Sequence, residues 1–301
     1  MGKCNILSID GGGVRGSMPA ELIRRLNKVE PHMLRNVDVF AGNSSGSFSA
    51  AVLAYGYTPE KLLQIYNEDT LKYLEQINPD PNGPPFLSDN LKEMLTSMFG
   101  NTRLSDLKKK IVIPTFYVGE SGDCWHPIIY NNFRCSDNAN TRLVDAVVSS
   151  SSAPAAYPSY GRNVDGDVLA NDPSVLALST IFKNICGISM NDVNLLAFGT
   201  GDYCNYVDGD TTKFSAYDWF VKNQGSPYYE MSVFAVTMAT EYIADNFLGD
   251  NYLKLNPKLS EDIGFLDYTQ VSKLFAYADR FDISNAISFI NKKWLNGRCI
   301  V

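Results

Sequence analysis

Gly42-Asn43-Ser44-Ser45-Gly46 sets a serine between two glycines, each two residues away. That spacing lets a strand turn sharply into a helix and lift the serine hydroxyl clear of the backbone. Ser44 is therefore a candidate nucleophile. A helix opening at Ser45 would aim its free N–H groups and positive dipole end at the reacting centre. A serine nucleophile needs a proton acceptor, and the chain has only two histidines, His32 and His126. An α/β-hydrolase triad runs Ser, then Asp or Glu, then His. His32 precedes Ser44, and His126, between Trp125 and Pro127, reads as a structural residue in a strand. A carboxylate acting directly as base must then be considered.

Asp165-Gly166-Asp167 offers one, because a carboxylate on a glycine turn can approach a hydroxyl closely. An aspartate with its ordinary pKa near 4 is a poor base, so burial or a neighbouring like charge has to raise it, and Asp167 is placed to do so. The plain alternative is an ordinary Asp-Gly turn. A third segment, Asp10-Gly11-Gly12-Gly13-Val14-Arg15-Gly16, could turn backbone N–H groups inward as an anion nest. With Arg15 nearby, Gly11, Gly12 and Gly13 would suit the oxyanion of a tetrahedral intermediate. Gly11, Gly13 and Gly16 also satisfy the dinucleotide fingerprint G-x-G-x-x-G. Against that reading, Glu30 precedes Pro31 at a helix end, where the fingerprint wants an acid ending a second strand.

The elements that must position these residues alternate. Ile6–Ile9 reads as a strand entering the glycine loop, followed by a helix with Leu22, Ile23, Leu26 and Val29 at helical spacing. Val37–Ala41 is the next strand and Ser45–Tyr55 a helix of small residues. Thr58-Pro59 opens an amphipathic helix expected to run through Leu74. Ile111–Val118 and Cys124–Tyr130 read as strands, Leu143–Val148 as a helix, and Val193–Phe198 as a buried strand. Met231–Phe247 and Leu274–Trp294 read as helices. No repeat or break in composition appears, so residues 1–301 are expected to form one α/β domain, with helices on both faces of a mainly parallel sheet.

With 45% hydrophobic and 20% charged residues, the 301-residue chain is an ordinary globular composition. A net charge of -7 argues against nucleic acid as partner and against non-specific attraction to anionic membranes. The six cysteines have no zinc spacing and read as reduced thiols of a cytoplasmic protein. No targeting segment or membrane-spanning run is expected. Gly2 and Cys299 fall just short of myristoylation and prenylation signals, so membrane contact is expected to be transient and peripheral.

Taken together, four segments resemble the patatin-like phospholipase family: residues 10–16, residues 42–46, Ser152-Ala-Pro-Ala-Ala-Tyr-Pro158, and Asp165-Gly-Asp. Asn171-Asp-Pro173 and Phe198-Gly-Thr-Gly201 resemble further segments, all in the family's order over roughly the first two thirds of the chain. The resemblance implies a three-layer α/β/α sandwich and a Ser–Asp dyad, with Ser44 as nucleophile and Asp165 as general base. It maps Gly11, Gly12, Gly13 and Arg15 to the oxyanion loop. It also implies hydrolysis of phospholipids or related acyl lipids through an acyl-enzyme, with no metal and no cofactor. Aromatic residues at Tyr217–Phe220 and Tyr228-Tyr229 are candidates for transient contact with a membrane or lipid-aggregate surface, although such residues are more often core. Two positions depart from the family pattern: Asp167 where a small residue is usual, and Asp172 where Asn is commoner. The alternatives left by the residues are a non-catalytic lipid-binding or storage protein on the same scaffold, and a nucleotide-binding module using residues 11–16.

Overall fold

The computed structural model describes residues 3–154, 156–221 and 226–295; Gly2 and Cys299 lie outside them. Its strands are β1 (Cys4–Ile9), β2 (Val39–Gly42), β3 (Gln76–Ile77), β4 (Phe86–Leu87), β5 (Lys110–Tyr117), β6 (His126–Asn131), β7 (Asn163–Asp165), β8 (Val193–Phe198) and β9 (Tyr252–Leu255). β3 and β4 form a small separate hairpin, and the others form one sheet ordered β6-β5-β2-β1-β8-β9, with β7 on β5. β5, β2, β1, β8 and β9 are parallel to their neighbours, while β6 and β7 run antiparallel to β5.

The helices are α1 (Ser17–Val29), α2 (Ser45–Tyr55), α3 (Pro59–Ile65), α4 (Glu68–Leu74), α5 (Asp89–Phe99), α6 (Leu143–Ser150), α7 (Asp167–Ala170), α8 (Ser174–Asn184), α9 (Ala216–Phe220), α10 (Pro227–Leu248), α11 (Val271–Arg280) and α12 (Ser284–Phe289). Alternate strand residues enter two separate cores. Leu7, Ile9, Phe40, Ile111, Ile113, Leu196 and Phe198 pack with α1, α2, α6, α11 and α12. Cys4, Ile6, Val39, Ala41, Val112, Leu195 and Ala197 pack with Ala177, Leu178 and Ile181 of α8 and with Leu248 of α10. Burial of both sheet faces explains why these strands read as unbroken apolar runs. The expected three-layer α/β/α sandwich is the observed architecture.

β5 organises the site. One edge of β5 carries β6 along Val112–Tyr117. The opposite edge carries β2 at Lys110–Val112 and, beyond it, β7 at Thr115–Tyr117. β2 and β7 run in opposite directions along that shared edge. Their ends therefore converge, which brings the turn after Gly42 against Asp165.

Three expectations about elements change. Asp165 closes a short strand instead of lying in a free turn. The single helix expected from Pro59 to Leu74 is two, because Asn67 leaves helical geometry (φ -130°) and its side chain caps α4 by accepting from the Thr70 N–H. The helix expected over Leu274–Trp294 breaks after Arg280, where the Asp282 carboxylate accepts from the Ser284 N–H at 2.9 Å and starts α12.

Candidate active site

Ser44 stands between β2 and α2 at φ 50° and ψ -124°, a backbone conformation that costs a non-glycine residue about 1–3 kcal/mol. The turn is held from several sides. The Ser44 N–H donates to Ser150 Oγ at 3.1 Å, and Ser150 in turn donates to Asn43 Oδ1 at 3.2 Å. The flanking glycines are required by contact. A Cβ on Gly46 would come within 2.2 Å of the Ile9 carbonyl oxygen, and one on Gly42 within 2.1 Å of the Gly46 carbonyl oxygen. Only bare backbone lets α2 start this close to β1.

Ser44 and Asp165 line one cavity, and the Ser44 hydroxyl favours the Asp165 anion. Asp165 accepts from Asn43 Nδ2 at 3.2 Å and from the Asp167 N–H at 3.0 Å. Burial first, and the nearby Asp167 carboxylate second, push Asp165 well above the usual carboxylate range, and its polar neighbours offset only part of that. This is the shift a serine-activating carboxylate needs. Neither histidine lines the cavity around Ser44. Both are exposed, and His126 Nδ1 lies 3.0 Å from the Cys124 carbonyl oxygen.

The glycine loop lies against the same serine: a Cβ on Gly11 would come within 3.2 Å of Ser44 Cβ. The three glycines are not equivalent. The Gly11 N–H is given to the Asn171 carbonyl oxygen at 3.1 Å, whereas those of Gly12 and Gly13 have no backbone acceptor among the described residues. Arg15 borders the same cavity, but its guanidinium is directed to the loop at 262–265. It donates to Asp262 Oδ1 at 2.8 Å and to the Ile263 carbonyl oxygen, and lies 4.4 Å from the Phe265 ring centre. The Phe265 carbonyl oxygen then accepts from the Val14 N–H at 2.9 Å, so Arg15 fixes the far side of the glycine loop.

Behind the loop, Lys254 Nζ on β9 sits between three carboxylates, 2.7 Å from Asp10, 2.8 Å from Asp172 and 2.7 Å from Glu241. These acids are spaced as a metal site could be, but the ammonium group is at their centre. Burial works to lower the Lys254 pKa, yet the three carboxylates outweigh it and hold it well above the usual lysine value. Asp172 is thus paired with Lys254 and does not add a bare charge beside Ser44.

Sequence reasoning missed four residues that build the site. Ser150 was visible only as part of a serine run, and Asn43 only as a variable position in the serine motif. Lys254 and Tyr229, the latter donating to Asp167 Oδ2 at 2.5 Å, come from distant elements and carry no local signal.

Ser44 and Asp165 open into a cavity of about 730 Å³, whose walls include Phe48, Ile65, Leu71, Leu91, Met94 and Phe234. A serine on a strained strand-to-helix turn thus stands beside a buried carboxylate and two backbone N–H groups that lack a backbone acceptor among the described residues, on an α/β/α scaffold. The patatin-like phospholipase model matches residues 7–178, more than half the chain, and the chain belongs to that family of lipid hydrolases. CotR of Bacillus subtilis is 28% identical, covering 98% of this chain and 99% of that protein. Protein teg of Priestia megaterium is 27% identical over 98% of this chain and 100% of its own length. Among solved structures, VipD from Legionella pneumophila aligns with a TM-score of 0.44 at 12% identity, covering 91% of this chain and 67% of that one.

Proposed function

We propose that the chain releases fatty acids from phospholipids or related acyl lipids by a metal-independent, acyl-enzyme mechanism. The observation that carries this is Ser44, on its strained turn, sharing a largely apolar cavity with a buried Asp165 whose carboxyl is held above the usual range. Asp165 takes the proton as Ser44 Oγ attacks the ester carbonyl carbon. The oxyanion is met by the N–H groups of Gly12 and Gly13, with the N-terminus of α2 adding its dipole. Gly11 and Arg15 support that loop, one through Asn171 and the other through residues 262–265. Collapse expels the alcohol, which receives the proton from Asp165. Water then attacks the acyl-Ser44 ester while Asp165 accepts its proton, and that proton returns to Ser44 as the fatty acid leaves.

The apolar walls suit an acyl chain, whose transfer from water is favourable by about 0.8 kcal/mol per buried CH₂. The lipid comes from an aggregate surface, met by α10. One side of this helix lines the cavity with Val233 and Thr237, while Met231, Tyr242 and Phe247 are 46%, 72% and 60% exposed. Among the described residues no helix is long and apolar enough to cross a membrane. Fatty-acid release from a lipid panel, compared between wild type, Ser44→Ala and Asp165→Asn, tests the assignment. Both variants should be silent on every lipid that the wild type cleaves.

A further inference from the structure

Asp167 places a second acid in the cavity wall two residues beyond Asp165. Its main-chain N–H donates to Asp165 Oδ1 at 3.0 Å, so the two carboxyl groups are held on one short turn at the start of α7. From across the cavity, the Tyr229 hydroxyl on α10 donates to Asp167 Oδ2 at 2.5 Å. Asp167 Oδ1 is buried and has no partner among the described residues.

Among the described residues, no cation pairs with Asp167. From its own segment it faces Asp165 and the Val168 N–H; from α10 it faces the Tyr229 hydroxyl. The pocket on its other side is lined by Val168, Phe220, Ser226, Tyr228, Ser232, Val233 and Val236, none of them charged. The nearby acid Glu230 is engaged electrostatically with Asp262 and Arg15. Two buried carboxyls this close lose their protons in two linked steps, because the second anion forms against the first.

We propose that Asp167, tethered to α10 by Tyr229, is a positioning residue that holds a second carboxyl group against Asp165 and tunes it as the base for Ser44. Tyr229 gives the Asp167 anion a short, strong donor, so the proton shared by the pair is directed to Asp165. The same bond makes the seating of α10 part of the tuning, since moving the helix removes the donor. This rests on Ser44 and Asp165 being the reacting pair.

The test is the pH profile of kcat/KM for lipid hydrolysis by wild type, Asp167→Asn, Tyr229→Phe and Asp165→Asn, each with a thermal melt. Asp167→Asn keeps an acceptor for Tyr229 and removes the charge. Its acid limb should move down by about 1 pH unit and its plateau should fall several-fold, as a weaker base is slower. Tyr229→Phe should move the limb the same way, because an Asp167 without its donor takes the shared proton and leaves Asp165 beside a neutral neighbour. A folded Asp167→Asn with an unmoved limb, or a change confined to KM, overturns the proposal. If Asp167→Asn has no cooperative melt, Tyr229→Phe decides on the same readout. Activity surviving in Asp165→Asn would instead overturn the underlying pair, so the two failures are distinct.

Discussion

The site residues are held in states the chain would not choose elsewhere. Ser44 keeps a positive φ, and Asp165 is 1% exposed with a like charge beside it. Such features reduce stability in exchange for reactivity, and the exchange has a measurable sign. Folding raises the Asp165 pKa from its unfolded value near 4, so the folded state takes up a proton in the window above that value. The contribution of Asp165 to stability is full below the window and is lost as pH rises through it. Asp165→Asn removes the buried charge and retains an acceptor for the Asp167 N–H. It should raise Tm at pH 7, by roughly 2–4 °C for each kcal/mol relieved, and leave Tm nearly unchanged near pH 4. Scanning calorimetry at the two pH values checks this, and a lower Tm at pH 7 would contradict it.

At the scale of elements, the site depends on parts far apart in sequence. β9 contributes Lys254, which binds Asp10 at the end of β1 and Asp172 before α8. Removing the ammonium with Lys254→Met leaves two carboxylates, 4% and 0% exposed, without their counter-ion. The expected loss is about 3–5 kcal/mol in urea unfolding, with a distorted glycine loop and reduced turnover; unchanged stability would refute this role. Much of the sheet was legible in the sequence because strands buried on both faces are continuous apolar runs, as in Val193–Phe198. Ser44 and the glycine loop were legible because tight backbone approaches demand glycine at fixed spacing. Asp165 could be found by the shortage of histidines, but its strand could not, since three residues carry too little pattern. Lys254 and Tyr229 were hidden because their roles exist only after distant elements meet. The break before α12 was obscured by apolar periodicity that continues across Phe281 and Ile283, although Asp282-Ile283-Ser284 contains the capping residue.

At the scale of the molecule, β8 and β9 from the later part of the chain complete the sheet begun by β1 and β2. The chain carries a net charge of -7, and α10 exposes several large apolar side chains beside the cavity. For the lipid contact proposed above, that combination favours a zwitterionic surface over an anionic one. Tyr242→Asp with Phe247→Asp changes exposed positions outside the cavity lining. The double variant should bind phosphatidylcholine vesicles at least about tenfold more weakly, given about 1.5–3 kcal/mol for burying one such side chain. Its rate on a soluble short-chain ester should match the wild type. Co-sedimentation and ester assays read the two effects, and wild-type vesicle binding by the variant would rule out α10 as the contact.

Ser44 is proposed as the group acylated during lipid hydrolysis. The most direct measurement is fatty-acid release from a lipid the wild type cleaves, by purified Ser44→Ala with an intact cooperative melt. A fall of at least about 10³-fold is expected, because loss of the nucleophile leaves only binding and the oxyanion donors. Release by that folded variant at a rate near the wild type's would contradict it.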